Sequence, residues 1–249
     1  MFGVASALAI SASAHAMTFA DYSATSSDPN ISWTQSTSLT SGVLSTTGVG
    51  ASADTDFSFL TPALSALSDL PALFTLSASG SAVDPAQTGF GQVAEQNLSG
   101  SFSFIYTGSA PLVVGTHTYL TGANLLSGAF TGAEIIGPNF GSTGSVQDAI
   151  FSGGTVSFTS DIAQFSPIGD KALSVELTSV LPFLTAAQND ALSSFTAVST
   201  GSFASDIAAG GGGGGGVPEP VTWATMLLGF FGIGLASRRA RRSSAAALS

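Results

Sequence analysis

His117, in VVGTHTYLTG, and the aspartates Asp54 and Asp56, in DTDFSFL, are the side chains of this 249-residue chain best placed for acid–base chemistry. One histidine among many Ser and Asp residues meets the inventory of a nucleophilic triad. No G-x-S-x-G context surrounds a candidate nucleophile, and strand-like neighbours give His117 a surface or pairing role instead. His15 falls in the N-terminal stretch 1–16, so His117 is the single histidine of the expected mature chain; a lone one offers no chelate, and the absence of cysteine removes thiolate zinc sites and disulfides alike. Asp54 and Asp56, two residues apart, share one strand face, where two carboxylates either hold a cation or act as an acid–base pair. Glu134, Asp161, Asp170 and Asp206 are scattered, and the dense Asp-x-Asp-x-Asp runs of calcium loops are missing. Carboxylates on a solvated face are therefore expected, with no catalytic residue, no metal and no cofactor.

The elements that would carry these residues read as strands. Phe102, Phe104 and Tyr106 in SGSFSFIYTG fall on one face, as do Phe57 and Phe59, Val156 and Phe158, and Val175 and Leu177, with Val180 left open as a further member. Period two over short runs bounded by Gly, Ser, Asn and Pro is the mark of half-buried antiparallel strands. Helix signals are confined to 61–70 (TPALSALSDL), with a Thr cap and Pro62 at the first helical position, and to one or two turns over 185–192. The expected body, residues 17–209, is an all-β antiparallel sandwich with one or two short helices.

Charge narrows the partners. The chain has 5 basic and 15 acidic residues, and Lys171 is the only cation before residue 217, against 14 acids. A body of net charge −13 repels nucleic acid and anionic membrane surfaces. Charged residues make up 8% of the chain, where about 25% is usual, yet 44% hydrophobic content and 18 Phe supply a core. With so few charged residues on edge strands, edge-to-edge association is a hazard.

The two ends differ from the body. MFGVASALAISASAHA runs from an apolar stretch to Ala14-His15-Ala16, which suits signal-peptidase cleavage before Met17. A secretory signal opens on Lys or Arg and this one does not, so the expected signal over 1–16 starts inside a longer one; a buried strand or helix is the alternative. Gly210 to Gly216 is an unbroken glycine run that reads as a flexible linker of roughly 15 Å reach. A phosphate-binding loop would need a following Lys-Ser or Lys-Thr, which is absent. Residues 221–237 carry no formal charge and, as a helix, span roughly 25 Å, enough for a short membrane crossing. Trp223 suits the outer interface, and Arg238, Arg239, Arg241 and Arg242 suit the cytoplasmic side. A buried C-terminal helix is the alternative, but Met226, Leu227, Leu228, Phe230, Phe231, Ile233 and Leu235 surround the whole helix rather than one stripe.

Val217-Pro218-Glu219-Pro220, then Trp223-Ala224, Leu227-Leu228-Gly229-Phe230 and the closing Arg238-Arg239-x-Arg241-Arg242 resemble the PEP-CTERM sorting signal of Gram-negative bacteria, in its PEPxxWA variety. The resemblance covers residues 217–242, with the polar 243–249 beyond it. It implies export, brief anchoring in the inner membrane, cleavage near Pro-Glu-Pro by an exosortase-type membrane protease, and delivery to the cell surface or exopolysaccharide matrix. In that setting the sequons at Asn30 and Asn97 are incidental.

The expected protein is thus a non-catalytic surface or matrix protein. One alternative is a carbohydrate-binding module for the cell's exopolysaccharide, with Trp33, Tyr22, Tyr106 and Tyr119 as its aromatic platform. Another is a secreted hydrolase built on His117 or a carboxylate pair.

Overall fold

Alternation of apolar residues with Ser and Thr becomes fourteen strands in the computed structural model, which describes residues 16–48, 50, 52–148, 154–165, 170–187 and 189–205. They are β1 (Met17–Ala24), β2 (Ile31–Gln35), β3 (Gly42–Thr46), β4 (Ala53–Phe59), β5 (Leu70–Ser79), β6 (Gln87–Gly89), β7 (Gln92–Tyr106), β8 (Leu112–Val114), β9 (His117–Tyr119), β10 (Asn124–Pro138), β11 (Gly144–Asp148), β12 (Thr155–Thr159), β13 (Lys171–Leu181) and β14 (Phe195–Ser205). Apart from the small β8–β9 hairpin, they form one antiparallel sheet of 12 strands.

That sheet closes on itself, where a sandwich would have been two sheets. Around the circuit, β14 meets β1 and β2 end to end on one edge; β1 and β2 pair with β4 and β3, which share one edge of β5. The circuit continues through β7 to β10, whose far edge is shared by β12 and β11, and returns through β13 to β14. A ring of this size encloses a space that side chains alone can fill.

Aromatic rings fill it. Phe74 stacks on Phe104 at 4.6 Å, Phe102 on Phe203 at 5.1 Å, and Phe57 and Tyr22 tilt against Phe104 at 5.0 and 4.8 Å. Such pairs add about 0.5–1.5 kcal/mol each beyond the area they bury. Every second residue of β14 from Phe195 to Ser205 is buried. Apart from the buried Thr46, Thr55, Ser199 and Ser205, the inward positions are mainly apolar and the outward ones rich in Ser and Thr, the reverse of membrane barrels, whose lumen is polar.

Where two strands share one edge, the gap between them must be sealed, because a buried unpaired amide is costly. On β14 the handover falls between Gly201, paired to Tyr22, and Ala197, paired to Ile31. There the Ser199 N–H donates to Asn30 Oδ1 at 2.8 Å, and the Tyr22 hydroxyl donates to Ser199 Oγ at 3.1 Å. On β5 it falls between Phe74, paired to Ala53, and Ser77, paired to Ser45; the Leu76 N–H donates to Thr46 Oγ1 at 3.3 Å. On β10 it falls at Gly132, whose φ of 68° lets the strand bulge between β12 and β11.

Neither expected helix forms. In 61–70 the chain makes two tight turns, with Leu64 N–H donating to Thr61 C=O and Leu67 N–H to Leu64 C=O, before Phe59 N–H donates to Leu67 C=O and fixes the loop on β4. Only Leu67 is fully buried among its central leucines, too little apolar surface to hold an isolated helix. Over the other signal the described residues 185–187 and 189–192 carry no helix; Ala186 is bridged to Leu192, and Ser193 N–H donates to Thr185 C=O at 2.8 Å. Among the described residues no helix is long and apolar enough to cross a membrane, and residues 1–15 and 206–249, with the expected signal, linker and span, lie outside them.

Replacing Asn30 by Ala should expose the cost of an open handover. Chemical denaturation is expected to show a loss of about 1–3 kcal/mol, against little change for Gln87→Ala on the exposed β6.

Candidate functional site

Asp54 and Asp56 both point outward from β4, as their spacing requires, but they open into different depressions. Asp54 lines one beside Asp28, Asn30 and Thr25. Asp56 lines the other, a groove of about 440 Å³ across the outer faces of β13, β14, β1 and β4, with Asp21, Asp69 and Glu176. Strand register sets this second group. Asp21 lies opposite Ser202 on one side and Ser58 on the other, and Glu176 lies opposite Thr200. The Asp69 N–H donates to Ser58 Oγ at 3.0 Å, and Ser174 Oγ donates to Glu176 Oε1 at 3.2 Å.

The groove is therefore a patch of carboxylates set among hydroxyls. Burial, and then the neighbouring Asp69 carboxylate, raise the pKa of Asp21 above its ordinary value. Among the described residues no three His, Cys, Asp or Glu side chains converge closely enough to hold a metal ion. Its lining offers four carboxylates as hydrogen-bond acceptors beside the hydroxyls of Ser23, Ser58, Thr200 and Ser202.

The other sequence candidates disperse. His117 is exposed on the β8–β9 hairpin, its ring 6.4 Å from that of Tyr119, with no Ser hydroxyl or carboxylate hydrogen-bonded to it among the described residues. Glu134 pairs with the Gln147 amide at 3.0 Å on the barrel's side, and Asp161 accepts the Asn124 N–H at 2.8 Å at one end. The proposed aromatic platform is not on the surface: Trp33, Tyr22 and Tyr106 are buried and Tyr119 is half-buried against the core. Burial raises the Tyr22 hydroxyl's pKa, against the opposing hydrogen bond to Ser199. Pro218, Glu219, Pro220, Trp223, Ala224 and the four arginines lie outside the described residues.

Glu95 is the functional-looking group that sequence reasoning passed over. It is wholly buried in β7, where alternation from Val93 places it inward. Its Oε2 accepts the Leu192 N–H at 2.9 Å while the Trp33 Nε1–H donates to the Leu192 C=O at 2.8 Å, so both sides of one loop residue are held. The Gln35 amide donates to the adjacent Ala191 C=O at 2.9 Å. Trp33 can lie there because Gly42 has no side chain; a Cβ at that position would overlap its ring. Oε1 of Glu95 has no hydrogen-bond partner among the described residues. Burial pushes the Glu95 carboxyl up to about 7, with the Leu192 N–H pulling the other way.

No family model, curated protein or solved structure matches this chain.

Because the carboxyl is held above its unfolded value, the folded state favours its protonated form. Stability from this group is complete below about pH 4.5 and is lost as pH rises through about 7. On the order of 2 kcal/mol should disappear across that window after allowance for solvent screening. Glu95→Gln, which keeps an acceptor for Leu192, should flatten the dependence between pH 5 and 8 when unfolding is followed by urea titration.

Proposed function

We propose that this chain is an exported surface or exopolysaccharide-matrix protein whose C-terminus is a sorting address. Residues 221–237 hold it in the inner membrane, Arg238, Arg239, Arg241 and Arg242 keep its end inside, and an exosortase-type membrane protease cleaves near Pro218–Pro220. The observation that carries this reading is the order of blocks over 210–242: glycine linker, Pro-Glu-Pro, Trp223-Ala224, apolar span and arginine cluster. Two features of the body support a non-catalytic role. Its interior is packed with aromatic rings, and His117 sits exposed on the β8–β9 hairpin with no hydroxyl or carboxylate hydrogen-bonded to it among the described residues.

A second reading, a glycan-binding module, is favoured by the groove of Asp21, Asp56, Asp69 and Glu176, whose acceptors suit sugar hydroxyls. It predicts that Asp21→Asn with Glu176→Gln weakens binding of a neutral polysaccharide at least tenfold in titration calorimetry, with the fold retained.

The sorting reading is checked by intact mass and C-terminal sequencing of the protein from its host's envelope and medium. A chain ending near residues 218–220 is expected. A full-length chain through Arg242, confined to the inner membrane, would contradict it.

A further inference from the structure

Three exposed phenylalanines stand together at one pole of the barrel, and two of them occupy backbone positions that bulky side chains avoid. Phe90 (φ 51°) precedes Gly91 (φ 78°) in the two-residue turn between β6 and β7, with Gly89 paired to Gln92. Positive φ at both central residues defines the hairpin turn that takes Asn-Gly by preference. Phe140 (φ 64°) is the third residue of the turn Pro138–Gly141, closed by the Gly141 N–H donating to the Pro138 C=O at 2.9 Å. That position likewise favours Gly or Asn.

Nothing in the core compensates for this strain. Phe90 is fully exposed, and Phe140 and Phe183 are 71% and 51% exposed. A Cβ at Gly89 or Gly91 would meet nothing within 4 Å, so the Phe90 tip stands clear of the body. Backbone hydrogen bonds gather the tips: Asn139 N–H donates to Gly91 C=O at 2.8 Å, and Phe140 N–H to Leu184 C=O at 2.7 Å. Leu181 adjoins them, 59% exposed. Strained residues that pack nothing point to a function at the surface they create.

The segments 89–92, 138–143 and 179–187 carry no charged residue, in a body with 14 acids. We propose that this pole is a homophilic docking surface, on which two copies of the chain pair end to end through Phe90, Phe140, Leu181 and Phe183. Charge leaves a second copy free to be the occupant, and area favours it. Two bodies of net charge −13 repel through faces that carry carboxylates, and these segments let them meet without any. Area agrees: at about 200 Å² per ring the three phenylalanines expose on the order of 450 Å², more than half of the ~800 Å² each partner gives a standard interface. The same patch on both copies makes the contact isologous, so assembly stops at two.

The chain leaves the described body at the other pole. Ser205 lies opposite Lys171, whereas Leu181 lies opposite Thr196, with the length of β14 between them. A pair therefore carries its two exits at its far ends. Resting on the surface reading above, this geometry has each pair join copies anchored on two facing surfaces.

The chain has no cysteine, so a single introduced thiol reports the contact. Full-length Gln92→Cys, oxidised in its host's envelope, should give a covalent dimer, while Ser109→Cys, exposed in the loop after Tyr106 at the opposite pole, should stay monomeric. Adding Phe90→Asn and Phe140→Asn, which suit their turns and spare the fold, should cut the Gln92→Cys dimer at least tenfold. Equal cross-linking at both poles, or a dimer that survives the double substitution, would overturn the proposal. So would a Gln92→Cys chain that stays monomeric, whether its thiol reacts freely with a water-soluble maleimide or is shielded from it by membrane or polysaccharide. Mixing cells that carry two differently tagged chains separates the layers: mixed-tag dimers are expected, and like-tag dimers alone would overturn the bridging of surfaces. A chain beyond the reach of external maleimide would sink the surface reading, while cross-linking in lysate would still decide the pairing.

Discussion

Closure of a single hydrogen-bonded circuit is the constraint on which the rest of this body depends. A surface dressed in Ser and Thr, with one cation among the residues before 217, lacks the charges by which open sheets usually protect their edges. Closing the sheet largely removes the edges. Short strands are placed two to an edge so that the ring can close, and each junction then needs its own seal. Asn30, Thr46 and Gly132 fill those places by three different means: an amide acceptor, a hydroxyl acceptor and a backbone bulge. Among the described residues what stays open is short: β6 pairs only to β7 over three residues, and β12 only to β10 over five.

Much of this was legible in the sequence. Phe57 with Phe59, and Phe102 with Phe104 and Tyr106, are buried on the faces that alternation assigned to them. Val180 is buried although it breaks the parity of Val175 and Leu177, because a bulge at Ser179 (φ 52°) flips the strand by one residue. Closure was not legible, since pairing partners such as β1 and β14 lie at opposite ends of the chain and no local pattern links them. The helix signals at 61–70 and 185–192 were real local preferences that tertiary bonds overrode. The aromatic platform failed for a related reason: Trp33, Tyr22 and Tyr106 carry polar tips that suggest a surface, yet the rings are buried and each tip is bonded within the body, at Leu192, Ser199 and the rim residue Ala110. Glu95 was readable from its parity with Val93, but a carboxylate on an inward face runs against its type.

The barrel is polarised along its length. One pole holds the turns of Phe90 and Phe140 and the loop gripped by Glu95 and Trp33; the other holds Met17, Lys171 and Ser205, where the chain enters and leaves. Between them the outer wall is hydroxyl-rich and acidic. In the proposed setting such a body needs no reaction of its own. In that proposal the tail serves as an address, and the free pole offers the apolar contact that the hydroxyl-rich, acidic wall withholds.

The most direct test of this account is amide hydrogen exchange along the seam where the two ends of the body meet. Closure predicts that the paired amides of β1 and β14, from Met17 to Tyr22 and from Gly201 to Ser205, exchange as slowly as those of the β5–β7 ladder. Rapid exchange along that seam while β5 and β7 remain protected would contradict it and show an open sheet in place of the ring.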